Sequence, residues 1–378
     1  MTNKRVGILT MHKVLNYGSA LQAYATQHTI ETLGYDCELI DYKYPNLEHL
    51  AFQGRISQAK DLSLKDILRL MFHQIKVRFR NDVKNRFDDF YSDFFNCSTN
   101  VYNNRLEILT NYPVYDIYIT GSDQVWNPDY IGFDTNFMLN FAPKGARKIS
   151  YASSFTISEI PSCLKKTYAE SLEDYHMISV RESSGQKIVK ELTDKESVVV
   201  CDPTLLLDST YWNKVAKKSK IKIEKPYMLV YLMGYAYNPY PEVYNYIERV
   251  NDVLKLPVIY LNAIPGRLKN KYKEINVSNV GPCEFLYIIS HAQFVVTDSF
   301  HGTAFSLNFG KMFISCIKKR DNIDSRIYDL LKKLKADDHA VVYDKNEPIC
   351  MDCQTEETKQ ALEEYRKHSL TYLKKSLK

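Results

Sequence analysis

The stretch that decides the fold is FVVTDSFHGTAFSLNFGK, residues 294–311. Its first three residues are aromatic or β-branched, which is typical of a buried strand. Polar residues then interrupt the apolar run, and helical spacing resumes at Ala304 and continues to Gly310, a residue type that often ends a helix. A strand that leads through polar residues into a helix predicts a binding site at the carboxyl edge of a parallel sheet, where helix N–H groups attract anions.

His301 is the candidate for chemistry within this polar turn. Histidine is the side chain whose ordinary pKa lies closest to neutral pH, so it can both contact an anion and transfer a proton. Asp298 and Ser299 precede it and could orient its ring or cap the helix. The alternative is that His301 only stabilises the turn.

The beginning of the chain shows the same arrangement. Apolar residues predict a strand over 6–10 and, after a loop, a helix over 20–33 and a second strand over 37–40. Asn16 and Gly18 lie in the loop, and Ser19 is a suitable N-cap for the helix. The loop is not a G-x-G-x-x-G fingerprint, so we expect no nicotinamide cofactor.

The pattern of a strand followed by polar residues recurs along the next hundred residues. We predict strands over 116–120, 148–152, 177–180 and 198–201. Polar residues follow the strand ends, among them Ser122, Asp123, Arg181 and Asp202. This repetition predicts a doubly wound α/β fold.

A second series of elements follows a lysine-rich stretch that we interpret as a linker. We predict strands over 227–233 and 258–262 and helices over 242–254, 283–291 and 356–377. The expected organisation is therefore two Rossmann-like domains that face a cleft. Their expected bounds are 1–205 for the N-terminal domain with a helical insertion over 62–95, 206–225 for the linker, 226–345 for the C-terminal domain, and 346–378 for a helical tail.

The insertion over 62–95 is amphipathic, with apolar residues every three or four positions. Its opposite face is basic and carries Lys65, Arg69, His73, Lys76, Arg80 and Lys84. One interpretation is a helix packed on the protein with a solvated basic face. The other is a helix that rests on an anionic membrane surface.

Composition excludes several classes. Of the 378 residues, 45% are hydrophobic and 25% charged, as in a soluble globular protein. The net charge of +5 is small and no basic motif with interleaved aromatics occurs, so we expect no nucleic-acid partner. The 29 Tyr residues suit stacking on sugar rings, or they reflect a composition bias. The first apolar run is too short for a signal peptide or a membrane span, so we expect a cytoplasmic protein.

A cytoplasmic location predicts that the eight Cys are reduced. Only Cys350 and Cys353 form a C-x-x-C pair. No second such pair completes a zinc site, so we interpret the pair as structural and leave its role open.

Six segments together carry a family resemblance: NYGSALQ at 16–22, ITGSDQVWNP at 119–128, KISYASSF at 148–155, SVRE at 179–182, CDPTLLL at 201–207 and TDSFHGT at 297–303. In this order and spacing they resemble the polysaccharide pyruvyl transferase family, over about residues 5–335. The resemblance implies a two-lobed fold similar to GT-B glycosyltransferases. It also implies transfer of pyruvate from phosphoenolpyruvate to two hydroxyls of a sugar, which forms a cyclic ketal and releases phosphate, without a cofactor.

The resemblance further implies site residues. His301 and Arg181 are the expected catalytic residues. Arg181 suits the donor because a guanidinium binds a carboxylate or phosphate with two hydrogen bonds. The alternative for Arg181 is a structural pair with Glu182. No metal ion is expected at the site. The expected donor-binding residues are Arg181, Asp298, Ser299, His301, Gly302 and Thr303, and the expected acceptor-binding residues are Asn16, Gly18, Ser122 and Asp123.

The acceptor is expected to be a sugar in a lipid-linked precursor of a capsule or exopolysaccharide, with peripheral contact to the inner membrane surface. Many relatives have N-x-G-D in the first loop, whereas this chain has N-Y-G-S, ending at Ser19. Two alternatives stay open: a glycosyltransferase that uses a nucleotide sugar, although no D-x-D motif occurs in a suitable loop, and a sugar-binding protein without turnover. The acceptor sugar, its hydroxyls, the ketal stereochemistry and the oligomeric state do not follow from the sequence.

Overall fold

A computed structural model describes residues 4–43, 81–131, 134–234, 237–320 and 326–378. The chain forms two compact units. The first consists of Met1–Ala51, Tyr91–Leu207 and Glu363–Lys378, and the second consists of Phe52–Phe90 and Asp208–Leu362.

The first unit contains a five-stranded parallel sheet with the strand order β3-β2-β1-β4-β5. This is the order of a Rossmann fold, with its topological switch point between β1 and β4. A further parallel pair, β6 and β7, continues from β5 through bridges such as Ile149 with Met177. The strands are β1 (Arg5–Leu9), β2 (Asp36–Tyr42), β3 (Cys97–Tyr102), β4 (Ile117–Thr120), β5 (Arg147–Ser150), β6 (Ile178–Val180) and β7 (Ser197–Val199).

Both faces of this sheet are covered, as a parallel sheet requires. On β4, Ile117 and Ile119 pack into one apolar core and Tyr118 into the other. The helices that begin and end within this unit are α1 (Tyr17–Thr32), α3 (Arg105–Thr110), α4 (Pro128–Ile131), α5 (Ser162–Glu173), α6 (Ser183–Leu192) and α7 (Pro203–Leu206). Helix α2 (Asn81–Phe94) crosses the division between the units.

The second unit contains another five-stranded parallel sheet, with the order β12-β11-β10-β8-β9. Counted from β8 this is the flavodoxin-like order 2-1-3-4-5, whose switch point lies between β8 and β10. Its strands are β8 (Met228–Tyr231), β9 (Val258–Leu261), β10 (Phe294–Thr297), β11 (Met312–Ile317) and β12 (Ala340–Val342). Its helices are α8 (Ser209–Ala216), α9 (Val243–Leu254), α10 (Pro282–His291), α11 (Phe300–Asn308) and α12 (Arg326–Lys333).

The predicted fold class, α/β with two Rossmann-like parallel sheets, is confirmed by these two sheets. Three details differ from the expectations. Helix α1 begins at Tyr17 rather than at residue 20, because Asn16 and not Ser19 is its N-cap. Helix α11 begins at Phe300 rather than at 304. The expected linker over 206–225 contains α8, whose Trp212 is buried edge-to-face against Phe305.

The expected tail over 346–378 also differs, because its helix α13 (Glu356–Ser376) divides between the units. Tyr372, Leu373 and Leu377 at its end belong to an apolar core of the first unit. Of the expected helical insertion over 62–95, the part at 62–80 lies outside the described residues, and α2 accounts for the rest. The expected cleft between the domains stays a prediction.

Candidate functional site

The first candidate region lies at the switch point of the first sheet, where β1 and β4 end. Asn16 caps α1 by accepting a hydrogen bond from Ser19 N at 3.2 Å. Ser19 Oγ donates in turn to Asp123 Oδ2 at 2.5 Å. The structure therefore brings together three of the polar residues that follow these two strands. Gly18 lies in the first turn of α1 and is buried there, rather than in the preceding loop as expected.

Ser122 has a different environment from its neighbour Asp123. Its hydroxyl donates to Ala152 O at 2.9 Å and lies 3.1 Å from Asp202 Oδ2. Its carbonyl accepts a bond from Thr10 Oγ1 at 2.8 Å. Because Ser122 is fully buried and these bonds are internal, the geometry favours a structural role over the expected contact with an acceptor.

Arg181 lies among three carboxylates. Its side chain is 1% exposed, and Nη1 donates to Asp202 Oδ2 at 2.8 Å. Asp123 and Glu182 each place a carboxylate oxygen 3.9 Å from the guanidinium. Burial lowers the pKa of Arg181. The three carboxylates raise this pKa by more than burial lowers it, so that it lies above its ordinary value.

These partners change the expected role of Arg181. One guanidinium does not neutralise three carboxylates, so the cluster would repel a further anion such as a carboxylate or phosphate of the donor. Asp202 also caps α7, since its Oδ1 accepts from Thr204 N at 3.0 Å. The geometry therefore favours the structural alternative for Arg181, with Asp202 as a closer partner than the expected Glu182.

Backbone strain surrounds the same cluster. Asp123, Ala152 and Thr156 have φ values of 75°, 53° and 57°, in the left-handed region that residues other than glycine rarely adopt. Glu182 Oε1 holds the segment by accepting bonds from Phe155 N at 2.9 Å and Thr156 N at 3.3 Å. Such strain costs about 1–3 kcal/mol per residue and is found preferentially at functional sites.

A buried ion pair at the same edge of the sheet was not among the sequence predictions. His12 Nε2 lies 3.5 Å from Asp41 Oδ1, and Lys13 Nζ lies 2.5 Å from Asp41 Oδ2. Burial lowers the pKa of His12, but the Asp41 carboxylate and Cys97 near its ring raise it overall to about 9. Burial raises the pKa of Asp41, whereas the nearby His12 and Lys13 lower it overall to about 2. The signal in the sequence was a His-Lys pair just after β1 and an Asp at the end of β2.

The second candidate region lies at the switch point of the second sheet. Asp298, directly after β10, accepts bonds from Met233 N at 2.5 Å and Gly234 N at 2.8 Å. Its carboxylate therefore fixes the loop after β8 across the switch point. Because both oxygens bind backbone, Asp298 shapes the site at this edge of the sheet.

Helix α11 begins within this region. Ser299 is its N-cap and accepts from Gly302 N at 3.3 Å, while Thr303 Oγ1 donates to Ser299 O at 3.0 Å. His301 is the second residue of the helix and 8% exposed, and its ring meets Phe300 edge-on with centroids 5.3 Å apart. The structure therefore places His301 in the first turn of a helix, where the helix dipole is positive.

Gly302 allows α11 to approach the sheet closely. A Cβ atom there would lie 2.4 Å from Thr297 Oγ1 and 3.0 Å from a ring carbon of Tyr231. Both neighbours are at the ends of strands β10 and β8. The glycine thus brings the first turn of the helix, including His301, against the carboxyl edge of the sheet.

Two parallel sheets, each with polar side chains at its switch point, define an α/β protein of the Rossmann-like class. The family described as polysaccharide pyruvyl transferase matches residues 16–320. The chain belongs to this family, which is a family of enzymes. No curated protein matches the chain significantly in sequence.

Several solved structures are similar in fold. UDP-GlcNAc 2-epimerase from Methanocaldococcus jannaschii has a TM-score of 0.49 at 12% identity, over 96% of this chain and 92% of that chain. The epimerase from Neisseria meningitidis bound to UDP-GlcNAc has a TM-score of 0.47 at 9% identity, over 98% and 100%. Arabidopsis thaliana UGT89C1 complexed with quercetin has a TM-score of 0.41 at 11% identity, over 99% and 93%.

None of the helices in the described part of the chain is long and apolar enough to span a membrane. Most of the segment expected to rest on a membrane surface, including Lys65, Arg69, Lys76 and Arg80, lies outside the described residues.

Proposed function

We propose that the chain transfers pyruvate from phosphoenolpyruvate to two hydroxyls of one sugar in a polysaccharide precursor. The product is a cyclic pyruvate ketal and the leaving group is inorganic phosphate. Family membership supports pyruvyl transfer to a polysaccharide. The observation that carries the donor assignment is the position of His301 in the first turn of α11, at the switch point of the second sheet.

The start of α11 suits the phosphate of the donor. Backbone N–H groups and the helix dipole favour negative charge there, and the Ser299 cap orders the turn. The carboxylate of Asp298 accepts hydrogen bonds from Met233 N and Gly234 N. Because these bonds partly offset its negative charge, Asp298 repels the incoming anion less. We therefore assign donor binding to the first turn of α11, with Gly302 and Thr303 shaping it.

His301 is the proposed acid–base group. In its protonated form it delivers a proton to the methylene carbon of phosphoenolpyruvate, which leaves a cationic centre at the adjacent carbon. A sugar hydroxyl adds there and loses its proton, the C–O bond to phosphate breaks, and the second hydroxyl closes the ring. The overall change is balanced: the sugar gains pyruvic acid less one water, and phosphate is released. Such proton transfer by a positioned side chain typically accelerates a reaction by about 10²–10⁴-fold.

The acceptor is proposed to bind at the switch point of the first sheet. Asp123 has a carboxylate that Ser19 and Gln124 N orient, and carboxylates accept hydrogen bonds from sugar hydroxyls. Asn16 lies beside it as the cap of α1. Arg181 then supports the proposed acceptor site because it holds Asp123, Glu182 and Asp202 in place. It does not bind the donor in this proposal.

A thermal shift assay tests the donor assignment. Phosphoenolpyruvate should raise the melting temperature in a concentration-dependent way, because a ligand that binds only the folded state stabilises it. A nucleoside diphosphate should have no effect at the same concentration. The reverse pattern would favour a nucleotide-sugar transferase, and no shift with either ligand would favour a sugar-binding protein without turnover.

A further inference from the structure

Three side chains of metal-binding type lie together in the second unit. Asp338 and His339 belong to the 3-10 helix just before β12, and Cys350 lies in the segment after that strand. A carboxylate oxygen, a ring nitrogen and the thiol sulfur from these residues all lie within 4.8 Å of one another. We propose that they bind one zinc ion, with Cys353 as the fourth ligand.

The environment of His339 prepares it for this role. Its Nδ1 lies 2.9 Å from Phe313 O, and a carbonyl can only accept, so Nδ1 carries the proton. The ring is buried and stacks on Phe313 with centroids 4.3 Å apart. In the neutral ring the lone pair is therefore on Nε2, and zinc-binding histidines commonly donate their other N–H to a carbonyl in this way.

The separation of the ligand atoms is close to that of a zinc site. Cys350 Sγ lies 4.0 Å from His339 Nε2. Tetrahedral zinc with ordinary bond lengths holds a sulfur and a nitrogen about 3.5 Å apart. The flanking residues Ile349 and Met351 pack against the apolar core of the unit, which fixes the backbone on both sides of Cys350. Zinc binding therefore closes the sulfur–nitrogen separation by about half an ångström and draws in the carboxylate oxygen of Asp338, which lies within 4.8 Å of both atoms on an exposed residue.

Cys353 supplies the remaining ligand. It follows Cys350 with the C-x-x-C spacing of many zinc sites, and it is exposed. Its sulfur lies outside the group of three ligand atoms, so zinc binding requires the side chain of Cys353 to turn toward the metal. The sequence pattern alone did not indicate zinc because it shows no second cysteine pair. Here Asp338 and His339, eleven or more residues upstream of Cys350, provide the other half of the ligand set.

The position of the site indicates a structural metal. Asp338 and His339 precede β12, so they lie at the amino end of this strand, whereas the candidate active site lies at the carboxyl edge of the sheet. Residues 346–355 have no helix or strand, and they are held near their ends by the bonds from Val342 N to Glu347 at 2.7 Å and from Gln354 to Leu307 O at 2.5 Å. Zinc would anchor the middle of this segment before α13 begins.

Metal analysis of the full-length protein tests the proposal. The protein is stripped with a chelator under reducing conditions and titrated with zinc sulfate, with bound zinc measured by mass spectrometry. We expect one zinc per chain and a higher melting temperature in its presence. Cys350→Ser should weaken zinc binding by about a hundredfold or more, because a thiolate ligand is lost. Cys163→Ser, which removes an exposed cysteine of the first unit, should bind zinc as the wild type does.

Cobalt distinguishes the individual ligands. Cobalt bound in place of zinc should show thiolate charge-transfer absorption that falls by about half in Cys353→Ser, since one of two thiolates is removed. Asp338→Asn should keep this absorption and bind more weakly. The proposal is overturned if the reduced wild type binds no zinc, or if Cys350→Ser binds it as tightly as the wild type. A disulfide between Cys350 and Cys353 that forms in air while the reduced chain ignores zinc would also overturn it.

Discussion

The guanidinium of Arg181 lies 2.8 Å from the carboxylate of Asp202, and both side chains are almost completely buried. Breaking such a pair by removing one partner leaves an uncompensated charge in the interior and costs about 3–5 kcal/mol. This buried contact supports a structural role for Arg181 rather than the donor-binding role that the family resemblance implies.

The substitutions Asp202→Asn and Arg181→Lys should therefore both destabilise the folded protein. We expect each to lower the free energy of unfolding by about 2–4 kcal/mol, because each weakens a buried, charge-assisted contact. Urea denaturation measures this change. For the fraction that folds, KM for phosphoenolpyruvate should stay near the wild-type value. An unchanged unfolding free energy together with a large rise in that KM would return Arg181 to the donor site.

His301→Ala should lower kcat by about a hundredfold or more, because it removes the proposed proton donor. His291→Ala is the matched control: it removes an exposed histidine at the end of α10 and should leave kcat unchanged. Circular dichroism and melting temperature would establish that both variants fold. Near-wild-type turnover in His301→Ala would reduce His301 to a role in packing and leave the acid unidentified.

The pair of His12 and Asp41 predicts how stability depends on pH. The folded pKa of His12 is about 9 against an ordinary value of 6.5, so its contribution is complete below pH 6.5 and is lost as the pH rises through 9. The folded pKa of Asp41 is about 2 against 3.8, so its contribution is present above pH 3.8 and is lost as the pH falls through 2.

Unfolding free energies measured between pH 6 and about 9.5 test this dependence. The wild type should lose on the order of 1–3 kcal/mol over this range from His12. His12→Gln should be less stable than the wild type at pH 6, and its free energy of unfolding should fall by less as the pH rises. His368→Gln, at an exposed position of α13, should follow the wild-type curve. Parallel curves for His12→Gln and the wild type would contradict the assignment of a buried imidazolium.

A lipid-linked acceptor predicts reversible contact with the membrane surface. We expect the protein to bind vesicles with anionic lipids and to be released as salt rises, since each basic group near such a surface contributes about 1 kcal/mol. Replacing Arg69, Lys76 and Arg80 with Glu should reduce binding without unfolding the chain. If the wild type does not bind anionic vesicles even at low salt, the basic residues between 62 and 84 do not dock the protein on a membrane.

The elements of the fold were predictable because local patterns specify them. Three β-branched or aromatic residues before Asp298 and a glycine after the helical spacing defined β10 and α11 to within a few residues. The start of α11 was missed because Ser299 caps it, whereas the apolar spacing begins later, at Ala304.

Contacts between distant positions were less predictable. The carboxylates around Arg181 come from positions 123, 182 and 202, and only the one at 182 is a neighbour in sequence. His12 and Asp41 meet because β1 and β2 pair in parallel, which places residues that follow the two strands at one edge. These groupings depend on strand order and register, which the spacing of residues along the chain does not determine.

Product analysis tests the central proposal most directly. The enzyme is incubated with phosphoenolpyruvate and a panel of lipid-linked oligosaccharides, and both the acceptor mass and the released phosphate are measured. We predict an acceptor that gains pyruvic acid less one water, with one phosphate released per product. Both signals should appear about a hundredfold or more slowly in His301→Ala. Acceptors that stay unchanged with phosphoenolpyruvate but gain a sugar from a nucleotide sugar would contradict the proposed function.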